Sequence, residues 1–143
     1  MTPQQFLESL DKLDLLQCLI WGEARGETLE GKIGVACVVM NRVKEKPWRG
    51  DDWSGVMLRP RQFSCFNLSD PNLLKIVTGY QADRWGDAIW RMCRWIAHGV
   101  IYNWVPDNTN GANHYCNADS DLPYWAEGKT PIKIIGNHNF YRL

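Results

Sequence analysis

Two glutamates stand four residues apart at the end of a strongly apolar stretch of the chain. The segment reads WGEARGE over residues 21–27, and Glu23 follows the run LLQCLIW. Glu23 should therefore emerge at the edge of the core, where desolvation disfavours the charged form of a carboxyl group. A glutamate that keeps its proton near neutral pH can donate that proton to a leaving oxygen. This is the task of the acid in glycoside cleavage.

The neighbours of Glu23 leave several roles open. We expect Glu27 to be solvated or paired with a base, because a helix ending at Arg25 or Gly26 would not hold both carboxylates on one face. Arg25 is either an ion-pair partner or a clamp on a substrate, and the ion pair is the simpler assignment. Gly22 and Gly26 allow either close approach of a ligand to the backbone or tight packing.

Helices are the predicted elements that must position these residues. Residues 14–25 and 29–46 are both apolar on most sides, and a helix of that kind belongs at the centre of a domain. Four of the predicted helices have a polar capping residue or a proline at their start. The starts are marked by Thr2 with Pro3, by Asp14, by Thr28, and by Asp70 with Pro71.

The rest of the chain is predicted from shorter patterns. Residues 51–58 form a short helix, and the aromatic segment RQFSCFN over 61–67 is a strand or hairpin edge. Residues 105–125 are rich in turn formers and predict a loop, and residues 130–143 hold a short strand. One amphipathic helix over residues 82–99 ends at Gly99 and presents this apolar face: Trp85, Ile89, Met92, Trp95 and Ile96. The fold class is α+β, mainly α, in one domain over 1–143.

Composition excludes several classes of function. Sixteen basic residues balance sixteen acidic ones, so no nucleic-acid partner is predicted. Five cysteines without C-x-x-C spacing indicate neither a zinc knuckle nor a disulfide framework. No apolar run reaches the length of a membrane span, so we expect no stable membrane insertion. Eight tryptophans among 143 residues favour an aromatic groove in which flat rings pack on sugars.

Four segments, in this order, resemble one family. WGEARGETLEGKIGVACVVMNRV over residues 21–43 is similar to the core motif of the spore-cortex-lytic cell wall hydrolases. SGVMLRPRQFSCF, NHYCNADSDLPYWA and IIGNHNFYR resemble the second, third and closing blocks of that family. The resemblance covers Leu15 to Arg142, and its first block is the most specific.

The resemblance implies a lysozyme-like domain that cuts the MurNAc–GlcNAc β-1,4 bond of peptidoglycan, with Glu23 as the catalytic acid. In related enzymes with a single acid, the same glutamate then deprotonates the C6 hydroxyl of the muramic residue and yields a 1,6-anhydro product. Hydrolysis would instead use water, usually with a second carboxylate. The candidates for that carboxylate are Glu27, Asp119 and Asp121.

Substrate contacts are predicted from residue chemistry. Amide and hydroxyl groups suit N-acetyl groups and sugar hydroxyls, and aromatic rings either stack on sugars or fill the core. The polar candidates are Gln62, Ser64, Tyr115 and Asn117, together with Arg25 and Glu27 of the first motif. The aromatic candidates are Phe63, Tyr124 and Trp125. No metal ion or cofactor is predicted.

The chain opens without the pattern of a signal peptide. With the compact format, this leads us to expect a monomeric phage endolysin, made in the host cytoplasm and released to the periplasm and cell wall by a separate pore. Two alternatives stay open. One is a zinc-dependent amidase or peptidase using His98, His114 and His138, although no H-E-x-x-H motif is present. The other is a non-catalytic glycan-binding module, which would not need Glu23.

Overall fold

The computed structural model describes residues 1–45 and 52–143. In these residues a mainly helical architecture carries a small sheet, which confirms the predicted α+β class. The helices are α1 (Pro3–Glu8), α2 (Lys12–Ala24), α3 (Leu29–Lys44), α4 (Trp53–Leu58), α5 (Pro71–Asp83) and α6 (Ala88–Ile101), with 3-10 helices at Ser64–Phe66 and Tyr124–Ala126. The strands are β1 (His114–Asn117), β2 (Lys133–Ile135) and β3 (His138–Tyr141).

Side-chain caps start the helices, as the sequence predicts. Thr2, Thr28 and Asp70 each accept a hydrogen bond from a backbone N–H of the first turn of α1, α3 and α5. The start of α2 differs from the prediction. Asp11, rather than Asp14, is its cap, because the Asp11 carboxylate accepts the backbone N–H of Asp14 at 2.9 Å.

The core lies between α2, α3 and α6. Residues 15–20 of α2 and 34–40 of α3 are all buried, so the prediction that α3 lies at the centre of the domain is confirmed. None of the helices in the described part of the chain combines the length and the apolar character needed to cross a bilayer.

The single helix predicted over residues 82–99 is wrong. The chain turns after α5, and Asp87 starts α6 by accepting the backbone N–H groups of Ile89 and Trp90. Gly99 lies inside α6, close to Val105. The apolar surface of this helix is wide, and the structure buries a different part of it: Trp90, Cys93, Ile96, Ala97 and Val100. Of the predicted face only Ile96 is buried, while Trp85, Ile89, Met92 and Trp95 are exposed.

The strand predicted over residues 61–67 is also wrong, and part of the segment is the 3-10 helix Ser64–Phe66. Cys65 and Phe66 are adjacent and both buried, whereas successive residues of a strand point to opposite faces. The predicted loop over 105–125 contains β1, and the C-terminal segment forms β2 and β3. The antiparallel sheet has the order β1-β3-β2 and pairs Tyr115 with Phe140.

Gly22 lets the last turn of α2 pack closely against two other elements. A Cβ at this position would lie 2.5 Å from Cδ1 of Ile76 and 2.9 Å from Cβ and Sγ of Cys65. These distances are shorter than van der Waals contact, so only glycine permits this approach. Of the two roles considered for Gly22, the structure gives it tight packing.

We expect Gly22→Ala to lower the free energy of unfolding by about 1–3 kcal/mol, the usual cost of overpacking a core. Gly26→Ala is the matched control, because a Cβ there meets nothing within 4 Å. Urea denaturation of both variants measures the difference. A Gly22→Ala variant as stable as Gly26→Ala would contradict this account of the packing.

Candidate active site

Glu23 lies in the last turn of α2, and its carboxylate accepts three hydrogen bonds. The Ser64 hydroxyl and the Cys65 backbone N–H donate to Oε2 at 3.2 and 3.1 Å. The Tyr115 hydroxyl donates to Oε1. These donors come from the 3-10 helix and from β1, so three segments distant in sequence meet at one carboxyl group.

The groups around Glu23 keep their protons. Burial, followed by the nearby charge of Glu23, raises the pKa of Tyr115 well above its ordinary value. The same two causes raise the pKa of the Cys65 thiol. Tyr115 is therefore a neutral hydrogen-bond donor. Cys65 is a neutral buried thiol and lacks the thiolate that a cysteine nucleophile requires.

Glu23 opens into a groove with a volume of about 610 Å³, within the usual range for ligand sites. Six of the predicted contact residues line this groove with Glu23. They are Gln62, Ser64, Tyr115, Asn117, Tyr124 and Trp125. The Trp125 ring packs against His114 at 4.9 Å and against Tyr141 at 5.4 Å between centroids.

Glu23 is the one carboxylate that lines the groove among the described residues. The other candidates for a second carboxylate lie outside its lining. Asp119 and Asp121 are exposed. Glu27 is mostly buried, with a side chain 13% exposed. Of its two predicted surroundings, solvent is therefore wrong, and a basic side chain, that of His138, lies 3.9 Å from its carboxylate. Helix α2 ends at Ala24, before Glu27. The Glu27 carboxylate accepts a hydrogen bond from the Asn137 backbone N–H at 3.2 Å.

His138 lies between the groove and Glu27. Its Nδ1 is 3.9 Å from Oε1 of Glu27, and its ring packs on Tyr115 with 5.2 Å between centroids. Burial lowers the pKa of His138, although the charges of Glu27 and Glu23 act in the opposite direction. The imidazole is therefore held neutral between two carboxylates.

Two predicted contact residues have structural partners. Phe63 is 2% exposed, so the structure gives it the core role and contradicts its assignment as a contact for sugars. Of the two roles predicted for Arg25, the ion pair is wrong within the described residues, and a contact with substrate stays a prediction. The Arg25 guanidinium lies over the Trp21 ring at 4.3 Å and donates to the side-chain oxygen of Asn72 at 2.7 Å. Asn72 in turn lines the groove.

Sequence analysis missed Arg42, which lines the groove from α3. It is buried, and its guanidinium lies 4.9 Å from the Phe63 ring centroid. It donates to the Asn113 carbonyl at 2.7 Å and to the Gln62 side-chain oxygen at 3.3 Å. An arginine inside an otherwise apolar helix was the available signal. Arg61, Asn72 and His138 also line the groove without having been predicted as contacts.

The histidines proposed for a zinc site are engaged separately. His98 packs against Tyr102 and Trp104, His114 against Trp125, and His138 lies beside Glu27. Within the described residues, no group of three or more histidine, cysteine or acidic side chains could hold a metal ion.

Comparison with known proteins gives the family. The model of the cell wall hydrolase family matches residues 26–141 of the chain. The chain belongs to the cell wall hydrolase family. This match starts three residues after Glu23, whereas individual relatives align over a longer part of the chain.

Curated relatives of the chain include spore cortex-lytic enzymes. The enzyme from Oceanobacillus iheyensis is 30% identical over 92% of this chain and 42% of its own length. The Bacillus subtilis enzyme is 29% identical over 92% of this chain and 38% of its own length. The chain thus spans less than half the length of these relatives.

Solved structures share the fold. The catalytic domain of the Bacillus cereus SleB protein superimposes with a TM-score of 0.65 at 27% identity. The match covers 90% of the present chain and 88% of the SleB domain. The catalytic domain of the germination-specific lytic transglycosylase SleB from Bacillus anthracis gives 0.66 at 27% identity, covering 92% and 94%. The predicted lysozyme-like fold of this family is confirmed.

Titration of His138 should make the free energy of unfolding of the protein depend on pH. Because its pKa is lowered in the folded state, the unfolded chain binds the proton more readily. The stabilisation is therefore complete above the ordinary value of 6.5 and is lost as the pH falls through the folded pKa.

We expect the free energy of unfolding to decrease as the pH falls below about 6.5, and His138→Gln to reduce that decrease. His98→Gln is the matched control, since it removes an imidazole outside the groove. Chemical denaturation across this pH range measures the effect. Parallel curves for wild type and His138→Gln would contradict it.

Proposed function

We propose that this chain is a lytic transglycosylase domain that cuts the MurNAc–GlcNAc β-1,4 bond of peptidoglycan with one carboxyl group. The observation that carries the proposal is the position of Glu23. Of the described residues it provides the one carboxylate in the groove, and three donors from distant segments orient it. The names of the relatives as cortex-lytic and lytic transglycosylase enzymes support the same substrate class.

In the first step, protonated Glu23 donates its proton to the glycosidic oxygen. The bond between that oxygen and C1 of the muramic residue breaks, and the sugar ring acquires oxocarbenium character. The Ser64 and Tyr115 hydroxyls can each donate or accept a hydrogen bond. They can therefore hold both the carboxyl and the carboxylate form of Glu23 without a change of position.

In the second step, the Glu23 carboxylate removes the proton from the C6 hydroxyl of the same muramic residue. The C6 oxygen then bonds to C1, which closes a 1,6-anhydro ring and restores protonated Glu23 for the next cycle. No water is consumed. Hydrolysis would be favoured by a second carboxylate facing the groove, and the position of Glu27 behind His138 does not provide one.

The remaining groove residues suit an amino-sugar strand. The amide groups of Gln62 and Asn117 match the hydrogen-bonding groups of N-acetyl substituents and sugar hydroxyls. Tyr124 is 85% exposed and Trp125 is partly exposed beside it, so both rings can offer a face to a pyranose. Arg42 and Arg61 add positive charge to the groove. A module that only bound glycans would not need the hydrogen bonds that orient Glu23.

We expect Glu23→Gln to lower the rate of glycan-strand cleavage by about 10²–10⁴-fold, the usual contribution of a general acid. Release of soluble fragments from purified peptidoglycan measures the rate. Asp119→Asn is the matched control, because it neutralises an exposed carboxylate outside the lining of the groove. Equal rates for the two variants, or cleavage confined to peptide and amide bonds, would refute the proposal.

The role of endolysin, made in the host cytoplasm and released to the wall, also stays a proposal. It is tested by expressing the chain in bacteria with and without a membrane pore-forming protein. We expect lysis only when the pore is present. Lysis without the pore, or intact cells with it, would contradict the role.

A further inference from the structure

A second cavity, of about 520 Å³, lies next to the catalytic groove. It is formed by α1, by the segment after α4 and by the region around the 3-10 helix Ser64–Phe66. Its lining is mainly apolar, with Leu58, Pro60, Phe66 and Leu68 among the residues. We call it the side cavity, and nothing in the proposed glycan chemistry uses it.

Arg61 connects the two cavities, because it lines both the groove and the side cavity. Its backbone has a φ of +63°, a left-handed conformation that is uncommon for residues other than glycine. Such outliers cluster at functional sites, where the surrounding structure holds them. The conformation places an arginine at the junction between the groove and the side cavity.

The side cavity has a positive character. Arg59 lines it along with Arg61, and the described lining residues include no aspartate or glutamate. Arginine binds carboxylates strongly through paired, charge-assisted hydrogen bonds. Gln4, Asn67 and Ser69 add polar groups that can bind backbone amides. The lining therefore combines apolar surface, amide-binding groups and two cations.

The same lining disfavours a second stretch of glycan. Sugar binding would use exposed aromatic faces such as those of Tyr124 and Trp125. The aromatic residues of the side cavity are Phe63 and Phe66, which are only 2% and 8% exposed. Their rings contribute apolar edges to the cavity and no open face for a pyranose.

We propose that the side cavity binds the peptide stem of peptidoglycan, the short peptide attached to the lactyl group of a muramic residue. The stem combines small methyl side chains with free carboxylates, which match the apolar surface and the two arginines. The stem is joined covalently to the glycan strand that would occupy the groove. The two cavities meet at Arg61, so one substrate molecule can occupy both. This inference rests on the proposed function and makes the stem a determinant of substrate specificity.

The test compares two substrates that differ only in the stem. One is glycan strands that carry their peptides, and the other is the same strands after enzymatic removal of the peptides. The variants are Arg59→Glu and Arg59→Ala, since Arg59 lines the side cavity and not the groove. Arg91→Glu is the matched control, because Arg91 is an exposed arginine of α6 that lines neither cavity.

We expect Arg59→Glu to lower kcat/KM on peptide-bearing strands by about tenfold or more, the effect of losing one hydrogen bond to a charged group. Arg59→Ala should give a smaller loss in the same direction. On bare strands both variants should stay within about twofold of wild type, the limit within which a surface change is neutral. Arg91→Glu should match wild type on both substrates.

Two results overturn the inference. Wild type cutting both substrates with the same kcat/KM would show that the stem contributes no binding. Equal losses on both substrates for the Arg59 variants would show a general effect rather than recognition of the stem. Failure of wild type to cut glycan in either substrate would instead refute the proposed function, so the two failures are distinguishable.

Discussion

The hydrogen bonds on the Glu23 carboxylate depend on how closely the end of α2 packs against its neighbours. Gly22 brings α2 against Cys65 and Ile76 at distances that no side chain would permit. That contact places the Cys65 backbone N–H and the Ser64 hydroxyl on one oxygen of Glu23, while β1 brings Tyr115 to the other. Tight packing of an apolar helix end is therefore what orients the carboxyl group towards the groove.

A second constraint is the buried Arg42, which lines the groove from α3 and holds two of its segments by hydrogen bonds. A buried cation is tolerated only when hydrogen bonds or charges compensate its desolvation. Arg42 finds compensation in the Asn113 carbonyl before β1, the Gln62 amide and the Phe63 ring. One side chain of the central helix thus fixes both the strand that carries Tyr115 and the segment that carries Gln62 and Ser64.

The features that sequence predicted well are the local ones. The capping residues Thr2, Thr28 and Asp70 each accept a backbone N–H no more than three residues later in the chain. Their patterns can therefore be recognised from the sequence alone. The face of α6 is mispredicted because its apolar surface is wider than the part that the core covers, and periodicity alone cannot choose that part. The burial of Glu27 and its approach to His138 depend on a contact across 110 residues, between Asn137 and Glu27. No spacing in the sequence encodes that contact, whereas the position of Glu23 at the edge of the core was predictable because the apolar run before it is local.

The central claim is that Glu23 alone serves as acid and then as base, so that the C6 hydroxyl replaces water as the nucleophile. The most direct measurement is mass spectrometry of muropeptides released from purified peptidoglycan in water enriched in oxygen-18. The account predicts muramic ends that are lighter by one water than ordinary reducing ends and that carry no label from the solvent. Ends of full mass that contain oxygen-18 would contradict it, because they would require water and a base that the described groove does not supply.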